Sequence, residues 1–250
     1  MGRTRGGRSI PATNQVPSRV VGSQGRLWAS VLFDFGGTLD ADGIPWKERF
    51  FRLYQGEGLA LSSQRFARAF YAADDALVGT IPATLPFRET VAILVGRVTH
   101  ALGVGDPRLV GRIATRFVDE ARDRLSANVP LLDHLSRRYR LGIVSNFYGN
   151  LGAVCHEVGL SPFLTAVVDS ARVGCTKPDP RIFRLALATL RTGPARAVFV
   201  GDSLQRDMAG ARDVGMAHIW LAPGPSRGEG PCCPGDPVVA TFEGLRELLL

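Results

Sequence analysis

Four polar clusters in this chain follow directly on short apolar runs. Asp34 ends the run Val31-Leu32-Phe33 and opens the turn Phe35-Gly36-Gly37-Thr38. Ser145-Asn146 closes Leu141–Val144, and Lys177 lies in Cys175-Thr176-Lys177-Pro178-Asp179-Pro180, just ahead of a helical pattern. Asp202 is reached from Ala197–Val200 through Gly201, with Asp207 beyond it. Ligands of open α/β sheets bind outside the carboxyl ends of the strands, so these residues meet if the apolar runs are parallel neighbours. The glycines after Asp34 let backbone amides approach an anion closely. Only Lys47 and Lys177 among the 30 basic residues are Lys, which leaves 28 Arg. In so Arg-biased a chain, a Lys marks a place where a compact ammonium is wanted.

The elements that must position these groups are legible as patterns. Trp28–Phe33, Leu141–Val144, Ala166–Val168, Ala197–Val200, His218–Leu221 and Val238–Phe242 read as strands. Most lack strict alternation, as strands covered on both faces do. Helical patterns lie between them, among them Pro180–Leu190, with Ile182, Leu185 and Leu190 on one side, and Gln205–Val214. This predicts a doubly wound parallel α/β sheet. Residues 43–128 differ: four apolar stripes at helical spacing, such as Leu109, Ile113, Phe117, Ala121 and Leu125, predict an inserted α-helical domain. Asp106-Pro107 reads as the start of the fourth helix. The core is then 28–42 plus 129–250. The Pro- and Gly-rich stretch 223–237 reads as a loop.

Composition narrows the class. The net charge of +7 falls to about +2 (7 − 5) without Arg3, Arg5, Arg8, Arg19 and Arg26 of residues 1–27. Those residues read as a disordered basic extension, and the folded body is not expected to bind nucleic acid. No apolar run is long enough to span a membrane. The four cysteines form no paired CxxC pattern, Cys232 and Cys233 are adjacent, and His100, His134, His156 and His218 lack ligand spacing. No metal role is expected of them, and the compartment reads as reducing and cytoplasmic.

Over residues 28–250 the chain resembles the haloacid dehalogenase (HAD) superfamily. Asp34 to Thr38 matches its first motif, DxDGT, with one departure. Ser145 matches the second, Lys177 in KPDPRIF the third, and Gly201 to Asp207 the fourth, GDxxxxD. The helical block resembles the family's first type of cap. The resemblance implies Asp34 as the nucleophile that accepts a phosphoryl group from a small-molecule ester as an acyl phosphate, which water then cleaves. It implies Mg²⁺, held by Asp34, the Gly36 carbonyl and Asp202. Asp207 would hold metal-bound water or orient Lys177. Gly37, Thr38, Ser145, Asn146 and Lys177 would bind the phosphoryl oxygens.

The departure is Gly36, where the family's phosphatases carry a second Asp that protonates the leaving alcohol. General acid–base catalysis is worth about 10²–10⁴ in rate. Three readings follow. The first is a phosphatase with another proton donor, from the cap or from metal-bound water. The second is carbon-centred chemistry, a dehalogenase or a phosphonatase using Lys47. The third is a binding or regulatory member without turnover. The first is the reading adopted.

Overall fold

A computed structural model describes residues 28–224, 230–233 and 235–250. The basic extension assigned to 1–27 lies outside them, as does part of the loop 223–237. Six strands form one parallel sheet: β1 Ser30–Phe33, β2 Arg140–Ser145, β3 Leu164–Asp169, β4 Ala197–Gly201, β5 Ala217–Leu221 and β6 Val238–Val239. Their order is β3-β2-β1-β4-β5-β6. Apolar clusters cover both faces, one gathering Val31, Phe33 and Val200, the other Leu32, Val144 and Phe199. Double coverage is why the runs do not alternate.

The chain winds from β1 out to β3, then returns to β4 on the other side of β1. That reversal makes the end of β1 the switch point of the sheet, where a crevice opens. Phe33 pairs with Ile143 of β2 and with Val200 of β4. The residues just beyond, Asp34, Ser145 and Asp202, therefore emerge side by side.

Three sequence expectations need adjustment. The last strand stops at Val239, because only Val238 and Val239 pair with β5, and Thr241 then caps a tight turn at Phe242–Gly244. The expected helix 205–214 is a π-helical turn, Leu204–Met208, running into a short α-helix, Ala209–Asp213. In the helix Pro180–Thr189 the buried face is Ile182, Phe183, Ala186 and Leu187, while Leu185 is exposed.

The helical block holds α1 Trp46–Gly56, α2 Ser63–Leu77, α3 Phe87–Ala101 and α4 Pro107–Ser136. Asp106 caps α4 by accepting the Arg108 amide. The Phe50 and Phe117 rings stack at 4.0 Å between α1 and α4, and the Tyr54 hydroxyl donates to the Val95 carbonyl at 3.0 Å. Helix α4 does not stop at residue 128. It continues through Pro130, and Leu131, Leu132 and Leu135 join the cluster beneath β1 and β2. One rigid element thus belongs to both the helical block and the sheet domain.

A buried ion pair locks that joint. The Asp40 carboxylate accepts the Gly37 amide on Oδ1 and, on Oδ2, the Trp46 indole and the Arg49 guanidinium, each at 2.7 Å. Arg49 also reaches the Phe117 carbonyl and lies over the Phe117 ring. Asn128 of α4 donates to the Leu39 carbonyl at 2.9 Å. Arg49→Ala is expected to lower stability by about 3–5 kcal/mol, the penalty for a buried charge left unpaired. Adding Asp40→Asn should recover much of that loss, and urea unfolding of the variants measures both. A loss under roughly 1 kcal/mol for Arg49→Ala would mean that the pair behaves as a solvated surface bridge.

Candidate active site

Asp34 leaves β1 with its amide bonded to the Val200 carbonyl at 2.9 Å, which fixes it between β1 and β4. The Ser145 hydroxyl donates to Asp34 Oδ1 at 2.8 Å. The Lys177 ammonium lies 2.6 Å from the same oxygen and 2.7 Å from Asp207 Oδ1. The Ser203 amide holds Asp207 Oδ2 at 3.0 Å. Of the two tasks expected of Asp207, the geometry displays the orientation of Lys177. Thr38 Oγ1 donates to Asp202 Oδ1 at 3.1 Å.

Asp34, Gly36, Ser145, Asn146, Lys177, Asp202 and Asp207 line one cavity of about 300 Å³. That volume suits a small molecule. Gly37 and Thr38 do not line it. The Gly37 amide is spent on Asp40 and the Thr38 hydroxyl on Asp202. Both shape the turn behind the cavity. Asn146 borders the cavity, but its amide is also committed: its oxygen accepts the Lys177 amide at 2.7 Å, and its nitrogen donates to the Lys177 carbonyl at 3.1 Å. It clamps the lysine backbone.

The charges are crowded. Burial, reinforced by Asp34 and Asp207, pushes the Asp202 carboxyl well above its ordinary range. Burial also lifts Asp207, to about 6, although Lys177 pulls it down. Burial alone would depress the Lys177 ammonium, but Asp207 and Asp34 outweigh it and hold it raised. Oxygens of Asp34, Asp202 and Asp207 approach within 4.8 Å of one another. Three acids against one ammonium, all offering oxygen, fit a hard divalent cation such as Mg²⁺. The turn leaves room for nothing else: Gly37 has φ +91°, and a Cβ there would lie 2.7 Å from the Asp202 carboxylate.

Gly36 is explained by its neighbour. A Cβ at Gly36 would meet the Trp46 indole nitrogen at 2.9 Å. The indole, tied to Asp40, fills the space into which a second motif acid would project.

Sequence reasoning missed several cavity residues. Trp46, Phe70, Tyr71 and Asp74 come from α1 and α2, beside Lys47, already a candidate, and Arg206 comes from the turn before Asp207. Their place in the cavity depends on how the helices sit over the sheet. Arg206 had one signal, its position inside GDxxxxD. Four arginines of the helical block lie elsewhere: Arg65 bonds the Leu102 carbonyl and Arg88 reaches Thr115, and neither Arg52 nor Arg68 lines this cavity. Asp74 is half-buried and accepts from the Tyr148 hydroxyl. Burial raises its carboxyl, only partly offset by Tyr148 and Arg206. Asp169, which could have bordered the site, instead accepts the amides of Gly149, Leu151 and Ala171.

A central parallel sheet with four motif clusters gathered at its switch point is the architecture of an α/β hydrolytic enzyme. The chain belongs to the haloacid dehalogenase-like hydrolase family, whose model matches residues 29–215. It is 36% identical over 152 residues to haloacid dehalogenase-like hydrolase domain-containing protein 3 of Bos taurus, covering 58% of this chain and 57% of that one. It is 37% identical over 97 residues to a glyceraldehyde 3-phosphate phosphatase of Methanothermobacter thermautotrophicus, covering 36% and 41% respectively. The chain spans about half the length, or less, of the curated relatives it matches. In fold it is similar to a dehalogenase crystallised with a reaction intermediate, at TM-score 0.61 and 19% identity over 90% of this chain and 99% of the other. Among the described residues no helix is long and apolar enough to cross a membrane.

The carboxylate cluster generates a test. A carboxyl whose pKa is raised by folding contributes stability below its unfolded pKa, and that stability is lost as pH rises through the folded value. For Asp207 the window runs from the ordinary 3.8 to about 6; for Asp202 the loss lies higher. At neutral pH the metal-free cluster is therefore a burden. Asp202→Asn keeps the Thr38 bond and removes one charge. It is expected to raise the melting temperature of chelator-treated protein at neutral pH, by about 2–4 °C per kcal/mol recovered, and to abolish stabilisation by added Mg²⁺. A lower melting temperature without metal would contradict this reading of the charges.

Proposed function

We propose that this chain is a Mg²⁺-dependent phosphatase that cleaves a small-molecule phosphate ester through an aspartyl phosphate on Asp34. One observation carries the reading: Asp34 sits at the switch point with Ser145 and Lys177 on one oxygen and Asp202 and Asp207 beside it, under a helical cap. Relatives named as phosphatases support it. The four free cysteines suit a reducing compartment, in keeping with a cytoplasmic enzyme.

The two contacts to Asp34 fall on Oδ1, so Oδ2 is the oxygen free to attack phosphorus. Lys177 and Ser145 fix the nucleophile's rotamer and offer donors to the phosphoryl oxygens as charge moves onto them. Asp207 and the Asn146 clamp hold Lys177 in place. Asp34, the Gly36 carbonyl and Asp202 would hold Mg²⁺, which supplies positive charge for the phosphoryl oxygens. Helices α1 and α2 roof the cavity and exclude water from the charged centre.

Gly36 leaves the leaving-group proton to another residue, and Asp74 is the candidate. It belongs to the cap, lines the cavity, and burial favours its protonated form. The Tyr148 hydroxyl holds one carboxyl oxygen, leaving the other to donate.

Phosphate release from a panel of alkyl and aryl phosphates, with and without Mg²⁺ and beside Asp34→Asn, tests the function. Metal-dependent turnover that vanishes in Asp34→Asn is expected. Silence across the panel in folded, metal-binding protein would move the reading to a binding member. Activity on organohalides that persists in chelator, or on phosphonates that is lost with borohydride and in Lys47→Arg, would move it to carbon-centred chemistry, for which Lys47 also lines the cavity.

Asp74→Asn is expected to lower kcat on alkyl phosphates by about 10²–10⁴, the usual worth of a general acid. Aryl phosphates, whose leaving group needs no proton, should be nearly unaffected. Wild-type alkyl activity should also fall as pH rises through the elevated pKa of Asp74. An equal loss on both ester classes would assign Asp74 to substrate binding or folding.

A further inference from the structure

Away from the active site, four side chains offering thiol, imidazole and carboxylate donors meet at the start of β5. His218 lies at the start of β5 and is buried; Cys232, Cys233 and Asp236 come from the loop and are half-buried. One donor atom from each lies within 4.8 Å of all the others. We infer that His218, Cys232, Cys233 and Asp236 form a second metal site, of the Cys₂-His-carboxylate type that takes Zn²⁺.

Three observations carry the inference. The first is spacing. The two Sγ atoms are 3.7 Å apart. A tetrahedron of Zn–S bonds of about 2.3 Å has an edge of about 3.8 Å, so the thiols already stand at ligand separation without being bonded to each other. The second is the imidazole. Its Nε2 lies 2.8 Å from Asp236 Oδ2 and its Nδ1 3.3 Å from the Met216 carbonyl. Both partners are acceptors, while a neutral imidazole has a single N–H. With a cation at Nε2, the proton sits on Nδ1 and points to Met216, the second contact that metal-bound histidines normally make.

The third is the support around the ligands. The Cys233 amide donates to Asp236 Oδ2 at 2.9 Å, and the Asp236 amide donates to the Cys233 carbonyl at 3.1 Å, closing the turn that gathers the ligands. The Arg212 guanidinium lies 3.3 Å from Cys232 Sγ. It offsets the single negative charge that two thiolates and a carboxylate leave on a divalent ion.

Such a site would pin the loop to β5, the strand whose Trp220 indole donates to the Asp202 carbonyl at 2.9 Å. The role is structural, and it is independent of the phosphatase reading.

The test is a Co²⁺ titration of full-length, reduced, chelator-stripped protein followed by absorbance. One equivalent is expected to bring up a thiolate-to-cobalt charge-transfer band in the near ultraviolet and the visible bands of a tetrahedral ion. Zn²⁺ should bleach both and raise the melting temperature. The carboxylates around Asp34 contain no sulfur and cannot give the charge-transfer band. Cys232→Ser/Cys233→Ser, with its fold checked by circular dichroism, should lose the band, and His218→Gln should weaken binding at least tenfold. Absence of the band in reduced wild-type protein would overturn the inference. So would a band that survives in the double variant, since that would place the metal on Cys155 or Cys175, or a Cys232–Cys233 disulfide that forms in place of metal binding.

Discussion

Everything at the head of the sheet answers to one constraint: three carboxylates, two buried and one half-buried, crowd about a single buried ammonium. Lys177 pairs with Asp34 and Asp207, and oxygens of Asp34, Asp202 and Asp207 lie within 4.8 Å of one another. Such an arrangement persists when something else gains from it. In the proposed function the gain is a nucleophile, a cation site and a phosphoryl-binding lysine within one small cavity. The surrounding devices serve to keep the charges apart yet in reach. Asn146 fixes the lysine backbone, the Ser203 amide fixes Asp207, and Gly37 gives the Asp202 carboxylate its space.

A fourth carboxylate, Asp40, connects that site to its roof. It takes one amide from the turn after Asp34 and two donors from α1. Through Arg49 and Phe117 the same network reaches α4, which runs on beneath the sheet. The cap is therefore anchored to the catalytic turn by buried polar contacts as well as by apolar packing. The anchoring also accounts for Gly36. Trp46, held by Asp40, occupies the volume a side chain would need, and the helical block brings a carboxyl of its own, Asp74, to the same cavity.

The sheet and its charged residues were legible in the sequence because parallel strands bring their carboxyl ends together whatever lies between them. An apolar run followed by Asp34, Ser145 or Asp202 carries its own address. The helical stripes around Phe50, Phe70 and Phe117 were legible for a similar reason, since periodicity reports burial. Illegible were contacts that depend on how one element rests on another. Asp74 and Tyr148 are 74 residues apart, and Trp46 meets Gly36 only because α1 folds back over the turn. The functions of Gly37, Thr38 and Asn146 could not be separated from phosphate binding until their hydrogen-bond partners were visible. The Cys232–Cys233 pair shows no ligand spacing along the chain. Its complement, His218, comes from the preceding strand, and a loop closure brings them together.

The central claim is covalent: Asp34 carries the phosphoryl group. It is tested most directly by acid-quenching Mg²⁺-loaded enzyme during turnover of an aryl phosphate and mapping phosphorylation by peptide mass spectrometry. The account predicts a hydroxylamine-labile phosphate on the peptide containing Asp34, absent from Asp34→Asn. Steady phosphate release with no label at Asp34 would contradict it.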